Sequence, residues 1–327
     1  MSPVLAVPEA RALFQKMHGK RIVVVGDLML DEWIWGRVDR ISPEAPVPVV
    51  AVSDHSFTLG GAGNVAHNLR VLGASVSCIG VVGGDAFGDM VCKMLQDQSI
   101  DARGVISVSE RPTTRKTRIV AQHQQVVRAD WESTDALPAT DIARLVKLVS
   151  ERASEADAVI ISDYAKGLLC REIVEAANAC SVVLADPKPM HAAYFSGVTC
   201  VAPNLHEAEA ASGIAIRDDA SLERAGVALL KCFDCKYVVV TRGEHGMALF
   251  GAAGERFMIP SVARTVFDVS GAGDTVIAVL ALALTAGASI ERAMELANFS
   301  AAAVVEKLGT ATASADEVLA LVEHDRG

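Results

Sequence analysis

Arg21-Ile-Val-Val-Val-Gly26-Asp-Leu-Met-Leu-Asp31 decides how the chain is read. Its β-branched run has no polar interruption, which marks a strand buried on both faces. Glycine and aspartate then break the run, as a turn at a strand end requires. Further apolar strand runs follow at 76–82, 158–162, 182–185 and 237–241. Helical patterns at 62–72, 86–98, 221–232, 273–285 and 289–307 separate or follow them. Buried strands alternating with helices predict an α/β fold, with a largely parallel sheet between two helical layers.

Two stretches break the alternation. Residues 32–53 carry Trp33, Trp35 and the turn Ser42-Pro-Glu-Ala-Pro-Val-Pro48. Residues 112–131 hold two short strand patterns around His123, which reads as a polar-tipped hairpin. Both are expected as lid insertions, a small β-sheet over the carboxyl ends of the main strands, where open α/β sheets bind ligands. The whole of 1–327 is expected as a single domain with this lid.

Composition narrows the function classes. The chain is 51% hydrophobic and 21% charged, which is globular rather than disordered. Its net charge of −10, without a basic block, argues against nucleic acid. The longest apolar run, 276–284, is far short of the ~20 residues that span a bilayer. No secretory leader pattern opens the sequence. Seven scattered cysteines read as reduced thiols, and Cys232-Phe-Asp-Cys235 has no second pair to make a zinc site. A cytoplasmic protein without membrane contact is expected.

Four motifs carry chemistry. Asp268-Val-Ser-Gly-Ala-Gly-Asp274 opens a helix. Small residues there let the amides of Gly271, Ala272 and Gly273 converge on an anion. Asp274 can then take a proton from an incoming hydroxyl while the amides hold a transferring phosphoryl group. Leu59-Gly-Gly-Ala-Gly-Asn64 also runs into a helix, but too far from the first strand for a dinucleotide fingerprint. No P-loop pattern occurs. Asp27 and Asp31 follow the first strand, where carboxylates either accept from sugar hydroxyls or shape a turn. In Pro203-Asn204-Leu-His-Glu207, the pair suits Mg²⁺ held through water. Taken alone, a helix capping box explains that pair better.

This arrangement resembles the ribokinase family of ATP-dependent sugar kinases, along almost the whole chain. The glycine pair with Asn64, the Asn-x-x-Glu motif, Thr241-Arg-Gly-Glu244 and Gly-Ala-Gly-Asp274 occur in the family's order. Val269-Ser270 stands where the family often has Thr-Thr. Within the family, three stretches resemble the branch that phosphorylates C1 of D-glycero-β-D-manno-heptose 7-phosphate for ADP-heptose and lipopolysaccharide core synthesis. They are 26–50, Ser162-Asp-Tyr-Ala-Lys-Gly167 and Asp186-Pro-Lys188.

The resemblance implies a ribokinase-like three-layer fold with a β-lid. Asp274 is then the base, and Gly271, Ala272 and Gly273 form the anion hole. ATP lies on Asn204, Glu207, Thr241, Gly243, Glu244 and Asn298, with Mg²⁺ held through water by Asn204 and Glu207. A monovalent cation is compatible with the family. The sugar lies on Asp31, Gly60, Gly61, Asn64 and Asp163, and its phosphate on cations among Lys116, Arg118, Arg128 and Lys166. Lys188 is a further phosphate ligand candidate. Pairing of two lids into a homodimer is expected, because an isolated small sheet is marginal in water. This branch often carries a nucleotidyltransferase domain, and none is expected in these residues. Alternatives are a kinase of fructose 1- or 6-phosphate, a non-catalytic sugar sensor, and a dinucleotide oxidoreductase, the last disfavoured by motif placement.

Overall fold

The computed structural model describes residues 5–122, 124–263, 265–307 and 309–324. Helix α1 (Val7–Met17) leads into β1 (Arg21–Gly26). Two long strands, β2 (Leu28–Ile41) and β3 (Pro48–Gly61), precede α2 (Ala62–Val71), β4 (Ser75–Gly83), α3 (Ala86–Asp97) and β5 (Asp101–Val108). A hairpin, β6 (Arg115–Ala121) and β7 (Gln124–Trp131), follows; its tip at His123 lies outside the described residues. Then come α4 (Ala139–Ala153), β8 (Ala158–Ser162), α5 (Arg171–Ala177), β9 (Val183–Asp186), β10 (Cys200–Val201), α6 (Leu205–Ser212) and α7 (Asp219–Phe233). The described chain closes with β11 (Tyr237–Thr241), β12 (Met247–Gly251), β13 (Arg256–Ile259), α8 (Ala272–Thr285), α9 (Ile290–Val305) and α10 (Ala315–His324).

Nine strands form the main sheet in the order β13-β12-β11-β10-β9-β8-β1-β4-β5. Pairings from β5 to β11 are parallel, and β12 and β13 turn back antiparallel at one edge. The unbroken run of β1 behaves as expected. Ile22 and Val24 point into one core with α8, while Val23 and Val25 point into the other with Phe195 and Phe233. Alternate side chains of one strand thus seed two separate cores. Helix α8 is apolar all round because it lies inside its layer, with every residue from Asp274 to Ala283 buried. Helix α4 keeps only one stripe, Leu145, Val149 and Ala153, against the sheet.

The lid is a second sheet, in the order β3-β2-β6-β7. Its first hairpin is longer than the 32–53 expected. Strand β3 continues through the glycine pair to Gly61, so the lid runs without a break into α2. The second begins at Arg115 rather than 112.

Chemistry-bearing side chains gather at the carboxyl ends of the main strands. Asp27 follows β1, Asp163 follows β8, Asp186 ends β9, Asn204 follows β10 and Thr241 ends β11. The strand order changes direction around β1, whose neighbours are β4 and β8. That is where a crevice opens in a sheet of this kind.

Candidate active site

Asp274 sits in the first turn of α8 and is buried. Gly271 caps that helix with φ +79°, a left-handed conformation. A Cβ there would also lie 2.6 Å from the Asn64 amide nitrogen, so glycine lets α2 and α8 meet. Through that contact Asn64 Nδ2 donates to Asp274 Oδ2 at 2.7 Å. Tyr164 Oη donates to Asp274 Oδ1 at 2.9 Å. Burial pushes the Asp274 carboxyl up to about 6, against the pull of those two donors. Asp31 raises it further and Lys188 lowers it. The result is a carboxylate with a pKa suited to general-base work near neutral pH.

First-turn amides have no intrahelical acceptor and face an anion with the helix dipole behind them. Of the three expected amides, Ala272 N–H donates to the Val269 carbonyl at 3.2 Å. That leaves Gly271 and Gly273 as the better candidates for an anion.

A groove of about 510 Å³ lies on the Gly273 side of the helix end. Thr241, Gly243, Glu244 and Asn298 line it together with Ala272 and Gly273. Four residues expected to meet ATP therefore share one concave surface with the α8 N-terminus. Apolar side chains, Val266, Val276 and Val305 among them, supply the rest of its wall. Asn298 is oriented by a bond from its Nδ2 to the Pro260 carbonyl, 2.8 Å.

The lid covers the other side. Strand register puts Asp31, Thr58, Lys116 and Asp130 on one face, with Trp33, Ser56, Arg118 and Arg128 beside them. This face looks at the core: Thr58 and Thr310 hydroxyls bond at 2.8 Å, and Trp33 and Trp35 border a small cavity with Asp268 and Gly309. Gly60 permits the tight packing, since a Cβ there would meet Asp31 Oδ2 at 2.5 Å. Asp31 is buried and ion-paired with Arg118.

The expected phosphate cations already have partners. Lys116 Nζ lies 3.4 Å from Asp130 and 3.5 Å from Glu132. Lys166 Nζ lies 2.8 Å from Glu132, and Arg128 Nε 3.0 Å from Asp130. Three basic groups thus share two acidic ones.

Several expected ligands also serve the architecture. Asn204 Oδ1 accepts from Glu207 N and Glu207 Oε2 accepts from Asn204 N, each at 3.0 Å, a complete capping box for α6. Glu207 is further paired with Lys188. The capping reading of this pair is therefore right as geometry, and it leaves the outer edge of Asn204 exposed. Asp163 is expected on the sugar. Its carboxylate instead accepts from Ala165 N, Lys188 N and His191 Nδ1, each at 2.9 Å, and so ties the loop after β8 to the segment after β9. Asp27 likewise holds backbone rather than sugar: its Oδ2 accepts from Tyr164 N and Lys166 N.

Two site residues are not singled out by the motifs, although both lie in quoted stretches. Tyr164 is one. The other is Asp186, whose carboxyl is pushed well above its usual range by burial, then by Glu207 and Asp274. A tyrosine inside Asp163-Tyr-Ala-Lys166 and a carboxylate at a strand end are the signals that point to them.

Comparison with known proteins agrees with this geometry. The pfkB family carbohydrate kinase pattern matches residues 20–317. The bifunctional protein HldE of Desulfatibacillum aliphaticivorans is 46% identical over 308 residues, covering 93% of this chain and 63% of that protein. HldE of Geobacter sulfurreducens is 44% identical over 321 residues, covering 97% of this chain and 66% of its own. The chain thus spans just under two thirds of these relatives. Arabidopsis thaliana ribokinase, solved with ribose and ATP, superposes with a TM-score of 0.75 at 21% identity, over 93% of this chain and 99% of that one. Escherichia coli phosphofructokinase-2 with substrates and products gives 0.78 at 19% identity, over 93% and 99%. With the matched pattern covering nearly the whole chain, and with Asp274, the groove and the lid brought together, the protein belongs to the pfkB family of carbohydrate kinases.

Proposed function

We propose that this sugar kinase transfers the γ-phosphoryl group of ATP to the C1 hydroxyl of D-glycero-β-D-manno-heptose 7-phosphate. The observation that carries the reading is the position of Asp274. It stands at a helix N-terminus with the nucleotide groove on one side and the polar face of the lid on the other. The likeness to HldE proteins along 91–97% of the chain supports the choice of sugar.

In this reading the C1 hydroxyl approaches the free lone pairs of Asp274, which takes the proton as phosphorus is attacked. Asn64 and Tyr164 hold the carboxylate by its other lone pairs. The amides of Gly271 and Gly273 stabilise charge on the moving group. Asp31 and the Gly60–Gly61 backbone border the sugar. Lys116, Lys166 and Arg128 outnumber Asp130 and Glu132 three to two, so the cluster keeps one positive charge for the 7-phosphate. Charge-assisted bonds to phosphate are roughly twice as strong as neutral ones, which makes this subsite a selector.

Magnesium fits these residues as a partner of the nucleotide. Among the described residues no three His, Cys, Asp or Glu could hold a metal alone. Mg²⁺ keeps its waters and binds mainly through phosphates, with one or two carboxylates nearby. Asp186 and Glu207 supply these and Asn204 a carbonyl. When bound, the ion neutralises charge on the phosphates.

Specificity constants for a panel test the substrate: the heptose 7-phosphate, the same heptose unphosphorylated, and fructose 1- and 6-phosphates. The heptose 7-phosphate is expected to lead. A higher value for fructose 6-phosphate would leave the sugar-kinase assignment and remove the heptose one.

A further inference from the structure

We propose that Tyr164 is a positioning residue for the base, a half-buried phenol whose hydrogen bond fixes the orientation of the Asp274 carboxylate. The proposal rests on Asp274 as the base, and none of the motifs singled out this tyrosine.

The geometry is a relay of fixed parts. Tyr164 Oη lies 2.9 Å from Asp274 Oδ1, across 110 positions of sequence. The loop that carries it is pinned from below. Asp27 Oδ2 accepts from Tyr164 N at 2.9 Å and from Lys166 N at 3.1 Å. Asp163 Oδ1 accepts from Ala165 N at 2.9 Å, which holds Ala165 at φ +55°, an uncommon conformation for alanine. Lys188 Nζ stands 5.3 Å from the ring centroid, over its face. Every part of the loop thus points the phenol at one oxygen.

The donor has only one role to play. Burial, then Asp274 itself, hold the phenol protonated well above its usual range, so it donates and Asp274 accepts. A donor to a buried carboxylate favours the ionised form. Charged groups around Asp274 come from other elements: Asp31 on β2 opposes ionisation, Lys188 after β9 favours it, and Asp186 at the end of β9 lies close by. Asn64 on α2 is the second donor. Two donors and Lys188 against burial and Asp31 leave the base near 6, and losing one donor moves it upward.

Tyr164→Phe keeps the ring, its packing and the Lys188 contact, and removes only the hydroxyl. A hydrogen bond to a charged group moves a carboxylate by about one pH unit. The direct readout needs no substrate: the carboxyl carbon of Asp274 is titrated by ¹³C NMR, its resonance assigned by loss in Asp274→Asn. The midpoint is expected to rise from about 6 to about 7 in Tyr164→Phe. In turnover, kcat/KM at pH 6.5 then falls about threefold, with near parity at pH 8.5. Replacing all three tyrosines biosynthetically by 3-fluorotyrosine, a stronger donor, keeps the fold and should lower the midpoint. An unchanged midpoint in either protein, or a loss of activity equal at all pH values, would show that Tyr164 only fills space. If the heptose is not turned over but the midpoints move as stated, the proposed substrate fails and this inference stands.

Discussion

As the proposed base, Asp274 has to be ionised where it is buried, and burial opposes ionisation. Its carboxyl titrates at about 6 in the folded protein against 3.8 in a free chain. The folded state therefore binds the proton more tightly, and stability declines as pH rises from about 4 to about 6, then stays at the lower level. Asp274→Asn removes that cost. The variant should lose ~10²–10⁴-fold in kcat, yet melt above the wild type at pH 7.5, with the gap closing by pH 4. Melting curves at both pH values decide the second half. Equal melting at both would mean that the carboxylate is not held in a desolvated site. At the proposed sugar-phosphate subsite, Lys116 is largely enclosed whereas Arg128 is half-exposed. Lys116→Met should raise KM for the sugar phosphate by about tenfold or more, Arg128→Met by less, with KM for ATP nearly unchanged in both.

The first turn of α6 carries a capping box and, in the proposed function, also faces Mg²⁺. Gln in place of Glu207 keeps a side-chain oxygen for the capping box but loses the charge. Glu207→Gln should thus raise the Mg²⁺ concentration for half-maximal activity, while the capping box is kept and the lost pairing with Lys188 costs about 1–3 kcal/mol of stability. An unchanged Mg²⁺ requirement would restrict Glu207 to capping. At this scale the sequence is most legible where burial is continuous. The run 237–241 is β11 residue for residue, and helix 273–285 begins one residue early in the structure, at Ala272. It is least legible where an element draws its stability from neighbours. Strand β10 is two residues long and exists because β9 and β11 flank it. β12 and β13 turn back at a sheet edge, where no helix pattern announces them. In the site, the meeting of Asp274 with Asn64 beside a groove is readable because a run of small residues at a helix start has few uses besides bringing amides close to an anion. The jobs of Asp27 and Asp163 are not, because a carboxylate after a strand looks the same whether it meets a sugar or its own backbone.

Over the whole molecule, the lid separates two surfaces by strand register. Its inner face is polar and meets the core through Thr58 and Thr310. Its outer face brings Ile34, Ile119 and Val127 side by side, with Val127 and neighbouring Val52 exposed. We propose that this face pairs two protomers across a two-fold axis. Light scattering should give twice 34.3 kDa, and Val127→Glu should return the mass to one chain. A wild-type mass of 34.3 kDa at micromolar concentration would remove the pairing. The central claim concerns where the phosphoryl group goes. ³¹P NMR of MgATP with D-glycero-β-D-manno-heptose 7-phosphate reads it directly. A second sugar phosphate resonance coupled to the anomeric proton is expected with the wild type and not with Asp274→Asn. A phosphate ester on another carbon, or full conversion by Asp274→Asn, would contradict the assignment.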